Sequence, residues 1–81
     1  MFRLIDAPQE TPLRIVRIAG GEGIQRKLLA LGFHKEDIIE LKAVGILHGP
    51  LLIRNITSET TAAIGRGIAQ KIFIEKADDQ R

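Results

Sequence analysis

Ala63-Ile64-Gly65-Arg66-Gly67-Ile68-Ala69-Gln70-Lys71-Ile72-Phe73-Ile74-Glu75 is the stretch that decides the fold. Two glycines around an arginine make a poor long helix, because each glycine costs about 1 kcal/mol relative to alanine. Ile64, Ile68 and Ala69 nevertheless share one face of a single helical turn. An apolar run follows at once, so the spacing predicts a short helical turn that feeds a terminal strand over 71–75. The glycines then read as turn devices that deliver Ile72 and Ile74 to a core. That ending closes a very small β-barrel.

The residues upstream fit the same plan. Leu51 to Ile56 reads as a strand, and Thr57-Ser58-Glu59-Thr60 as a hairpin turn into Thr61 to Ile64. Gly45 and the pair Gly49-Pro50 bracket a loop that carries Ile46 and Leu47 at its tip. Before it, Ile38 to Val44 alternates, with Ile39, Leu41 and Ala43 on one side and Glu40 and Lys42 on the other. Residues 33–37 form a polar turn. Glu22 to Leu31 is the one long helix, with Ile24, Leu28 and Leu31 on a stripe and Gly32 placed for a left-handed cap. Leu13 to Ile18 is a β-branched strand, with Pro12 at its start. Residues 1–12 read as a lead-in and 77–81 as a frayed tail. The fold class is mainly all-β: a small barrel over residues 1–76 with one inserted helix and a helical turn before the last strand.

Composition narrows the function. With 81 residues and no cysteine, one domain near the lower size limit for a single core is expected, in a reducing, cytosolic setting. No stretch approaches the ~20 apolar residues of a membrane span, and Asp6 and Pro8 come too early for a signal peptide. Twelve basic and ten acidic residues are interspersed and only three residues are aromatic, all Phe, which argues against a nucleic-acid interface. Ser58 is the sole serine and nothing ties it to a histidine, so triad chemistry has no support and no enzyme activity is expected. Gly20-Gly21-Glu22-Gly23 and Gly65-Arg66-Gly67 lack the spacing and the Lys-Ser/Thr end of phosphate loops.

Two classes of site remain. His34 and His48 are the only imidazoles and, with Asp37, Glu36 or Glu22 supplying oxygens, are the candidates for a divalent transition metal such as Fe or Zn. For a protein partner there are two surfaces. The helix presents Leu29, off its main apolar line, beside Arg26 and Lys27, which would orient an acidic partner. The loop tip presents Ile46 and Leu47, which suit docking or self-association into a homo-oligomer.

In order and spacing these pieces resemble the ferrous iron transport protein A (FeoA) family. The resemblance runs from about Leu13 to Glu75. It rests on Ile15-Val16-Arg17-Ile18 with Gly20-Gly21, on Arg26-Lys27-Leu28-Leu29-Ala30-Leu31-Gly32, on the hairpin after His48-Gly49-Pro50, and on the closing segment. It implies an SH3-like barrel similar to the C-terminal domain of iron-dependent repressors. It also implies a cytoplasmic accessory protein of ferrous iron uptake that docks on the cytosolic side of FeoB, a membrane GTPase transporter. The alternative it leaves is a metal-responsive regulatory domain. Family members usually carry Pro-Gly in the turn after the helix, where this chain has Lys35-Glu36; glycine takes a positive φ readily and glutamate does not. Arg66 has no assigned role.

Overall fold

A computed structural model describes residues 1–77. Ala77 is therefore the one residue of the expected tail that is seen; 78–81 lie outside the described residues. The strands are β1 (Phe2–Arg3), β2 (Leu13–Ile18), β3 (Ile38–Val44), β4 (Leu51–Asn55), β5 (Thr60–Ile64) and β6 (Ile72–Lys76). Helix α1 (Glu22–Ala30) joins β2 to β3, and α2 (Arg66–Ala69) joins β5 to β6. All strand pairs are antiparallel, in the order β1-β6-β2-β3-β4-β5. The sheet curls around one apolar core, and α2 packs against a 3-10 turn at Leu4–Asp6. This is the expected SH3-like architecture.

The alternating residues Leu13, Ile15, Ile39, Leu41, Leu51 and Ile53 point inward and are buried. The closing segment behaves as read: Ile64, Ala69, Ile72 and Ile74 are all buried, and Ile68 packs against them. Its glycines do not. Gly65 has φ −64, Gly67 lies within α2, and a Cβ at either would meet nothing within 4 Å. Neither the turn nor the packing requires glycine there. Gly45 differs, since a Cβ would come 2.8 Å from the Pro50 carbonyl oxygen across the hairpin.

Two bulges redirect side chains. In β3 the register with β4 slips at Lys42, between Leu41↔Ile53 and Ala43↔Leu52. The extra residue reverses the alternation, so Ala43 is exposed and not inward as its spacing predicts. Lys42 Nζ sits 2.7 Å from Glu10 Oε1 and 3.5 Å from Glu40 Oε1, which holds its ammonium pKa above the usual value mainly through the Glu10 hydrogen bond. In β2 a second slip falls between Ile15 and Arg17, and the Arg17 guanidinium stacks 4.6 Å from the centre of the Phe73 ring.

The lead-in is more structured than its sequence suggests. Phe2 and Arg3 pair with Ile74 and Phe73 of β6, and Leu4 is fully buried. Farther on, Gln9 bridges Leu41 and the Glu10 amide donates to the Leu41 carbonyl. The remaining boundaries shift by a residue: β4 ends at Asn55, the turn spans 56–59, and β5 opens at Thr60.

Candidate functional site

The β3–β4 hairpin closes through two backbone bonds. The Gly45 amide donates to the Pro50 carbonyl at 2.8 Å and the Gly49 amide to the Ile46 carbonyl at 2.9 Å. Between them Leu47 (φ 52) and His48 (φ 61) are both left-handed. Positive φ at both central residues is the type I′ pattern, which matches sheet twist but favours Asn-Gly. Leucine and histidine hold it against Cβ–carbonyl crowding that costs about 1–2 kcal/mol per residue. The turn also carries the two least covered of the large apolar side chains: Ile46 is 84% exposed and Leu47 90%. Val44 and Leu52 are exposed beside this tip, and Leu52 lies in a cross-strand row with Ala43 and Ala63 on the outer face of the sheet. Four of the seven exposed large apolar residues among those described thus sit on one hairpin. Such clustering marks an interaction surface more strongly than scattered exposure does.

Helix α1 supplies the second surface. The Gln25 side-chain amide donates to the Ile18 carbonyl at 2.7 Å, and Leu28 plugs the core, with Ile24 and Leu31 packed around it. Leu29 is left 55% exposed. Arg26 and Lys27 are exposed alongside, with Arg26 Nη2 3.7 Å from Glu22 Oε1 one turn back. The helix ends at Gly32 (φ 87), whose carbonyl accepts from the Asn55 side-chain amide at the far end of β4. The two sequence-predicted partner surfaces therefore lie at opposite ends of the β3–β4 hairpin and are not one patch.

His34 and His48 are likewise not brought together. His34 precedes β3 and His48 follows it, and its seven residues span roughly 20 Å. Among the described residues no group of three or more His, Asp or Glu gathers to hold a metal ion. His34 belongs instead to a hydrogen-bonded cluster. Asp37 Oδ2 accepts from the His34 amide (2.9 Å) and the Asn55 side-chain amide (2.9 Å), and it meets His34 Nδ1 at 3.2 Å. Asn55 is fully buried, and its Oδ1 accepts from the Ser58 amide. Burial pushes the Asp37 carboxyl up, but the Asn55 and His34 hydrogen bonds outweigh it and hold its pKa below the ordinary 3.8.

The same turn answers the Lys35-Glu36 departure. The Asp37 amide donates to the His34 carbonyl, with Glu36 at φ 76 in the third position. That is the place type II turns reserve for glycine, after a second position that favours proline. The glycine geometry is kept without glycine.

Sequence reasoning missed Val44 and Leu52 because each lies in an apolar run read only as strand; the bulge adds Ala43 to the outward face beside Leu52. It missed Asn55 because the partners that satisfy its buried side chain, Gly32 and Asp37, are distant in sequence.

A curled antiparallel sheet of six strands with one inserted helix defines a small SH3-like β domain. The FeoA domain model matches residues 2–76, and the chain belongs to the FeoA family, whose members are related to ferrous iron transport. It is 31% identical over 78 residues, 96% of this chain and 90% of the relative, to the putative Fe(2+) transport protein A of Methanocaldococcus jannaschii. In structure it is similar to a crystallised iron uptake regulatory protein, FeoA (TM-score 0.80, 24% identity, 94% of this chain and 96% of that one). It also resembles part of a manganese-dependent transcriptional repressor (TM-score 0.83, 16% identity, 93% of this chain and 41% of that one). No helix among the described residues is long and apolar enough to cross a membrane.

Proposed function

We propose that the chain is a non-enzymatic docking module of ferrous iron uptake, acting in the cytoplasm on the cytosolic part of the FeoB membrane GTPase transporter. The observation that carries this reading is the tip of the β3–β4 hairpin. Ile46 and Leu47 are held out to solvent on a turn whose backbone disfavours the residues it contains. Strain kept at an exposed apolar site points to a role outside the fold. Arg26, Lys27 and Leu29 of α1 form a second contact, with the Arg26–Glu22 pair too exposed to oppose exchange for a partner carboxylate.

Capture of the cytosolic region of the cognate transporter by the purified protein tests this. The wild type is expected to retain it, Leu47→Asp to abolish retention, and Leu29→Asp or Arg26→Glu to weaken it. No retention by the wild type, with or without nucleotide and Fe(II), overturns the reading.

The alternative, a metal-responsive regulatory domain, has one supporting contact. Asp37 Oδ2 lies against His34 Nδ1 on a half-exposed side chain, the kind of carboxylate partner that orients metal-ligating imidazoles. Among the described residues its donor set is a single imidazole, so an Fe or Zn ion there would need further ligands. Titration of Zn(II) into the wild type and His34→Ala, followed by calorimetry, separates the two readings.

A further inference from the structure

The sheet has two edges, and they are not alike. β1 is two residues long, which by itself protects it from pairing. β5 is five residues, Thr60-Thr61-Ala62-Ala63-Ile64, and among the described residues pairs only with β4. It carries none of the usual guards: no lysine, no proline, no bulge in its register with β4. Its charges sit just outside its ends instead, Glu59 before and Arg66 after. No ion pair among the described residues includes either of them, and Arg66 Nε is buried without a hydrogen-bond partner.

Read against its own reverse, this segment is self-complementary. We propose that β5 is a homodimer edge, pairing antiparallel with β5 of a second copy about a two-fold axis at Ala62. That register sets Ala62 opposite its own copy, Thr61 opposite Ala63, and Thr60 opposite Ile64. It brings each Glu59 to the end of the paired strands beside Gly65 and Arg66 of the other molecule, so that charges of opposite sign meet just beyond the strand pair. Each dimer holds two such pairs. The contact is isologous, so it closes at two copies and does not grow into a fibre. The outer-face row of Leu52 and Ala63 continues over Thr61 of the second copy, which makes one sheet of twelve strands from two of six.

This inference is independent of transporter docking, because it is tested on the purified chain alone. Sedimentation velocity over a concentration series is expected to show a reversible monomer–dimer equilibrium. Glu59→Arg and Arg66→Glu should each weaken association about tenfold, from the loss and reversal of two pairs at the rim of the contact. Mixing the two variants should restore it, because one strand then ends in two arginines and the other in two glutamates. Circular dichroism on each variant checks that the barrel is intact, and the mixing result cannot come from misfolding. A wild type that stays monomeric at every concentration overturns the proposal, as does a dimer that ignores both reversals or fails to recover on mixing.

Discussion

At the scale of single residues, Glu36 and Asp37 carry opposite lessons within one turn. Glu36 holds a left-handed conformation at φ 76 and makes only a 3.9 Å contact to Arg14 on an exposed side chain. Glu36→Gly removes strain of about 1–2 kcal/mol but adds about 0.5–1 kcal/mol of backbone entropy cost. A net stabilisation of about 0.5–1 kcal/mol is expected, read as a raised urea midpoint at unchanged slope. Glu36→Val, β-branched at the same φ, should lower the midpoint. Asp37 is instead an asset that depends on its charge. Because its folded pKa lies below the ordinary 3.8, its contribution is complete above that value and is lost as pH falls through the lower folded pKa. The stability that Asp37 contributes should thus decline below about pH 4, and Asp37→Asn should be less stable at neutral pH with a flatter acid limb. Thermal melts from pH 7 to 3 check both. That a turn stood here was legible from Phe33-His34-Lys35-Glu36-Asp37. That Asp37 would be buried was not, since its cover comes from Asn55, 18 residues on.

At the scale of elements, periodicity located β2, β3, β4, β6 and α1 to within a residue or two, because each carries its own apolar repeat. What periodicity does not encode is the phase slip within a strand. The bulge at Lys42 leaves Ile39 and Leu41 inward but turns Ala43 outward, and the hairpin end acquires an apolar face that alternation assigns to the core. The tip itself was legible as a loop with two exposed apolar residues; its strained backbone was not. That strain yields a prediction with two readouts. Replacing Leu47-His48 by Asn-Gly gives the type I′ turn the residues it favours. Stability should rise by about 1–2 kcal/mol, a Tm gain of roughly 4–8 °C for each kcal/mol in a domain of this size. Capture of the transporter's cytosolic region should fall at the same time, since the apolar side chain that reaches farthest into solvent is gone. A turn that becomes more stable and still captures its partner would remove the tip from the interface.

At the scale of the whole molecule, the least legible feature is how the first residues complete the core. Phe2-Arg3-Leu4 has no period of its own and is followed by proline and acid, so its local sequence favours an irregular lead-in. Its structure is decided by β6, about 70 residues away, which offers Phe73 and Ile74 as an open edge. Leu4 then enters the core from the 3-10 turn that packs against α2 and β6. An 81-residue chain holds only about 4–12 kcal/mol in total, so a side chain buried at this closure weighs heavily. Leu4→Ala should cost about 2–5 kcal/mol, through lost transfer energy and the cavity left between β6 and α2. Ile46→Ala, an equally large apolar deletion at a site already in water, should change stability by less than about 0.5 kcal/mol. Urea unfolding of the two variants beside the wild type measures the contrast. If the N-terminal residues only decorated the barrel, the two substitutions would be equally silent; if they close it, Leu4→Ala alone removes a large fraction of the stability.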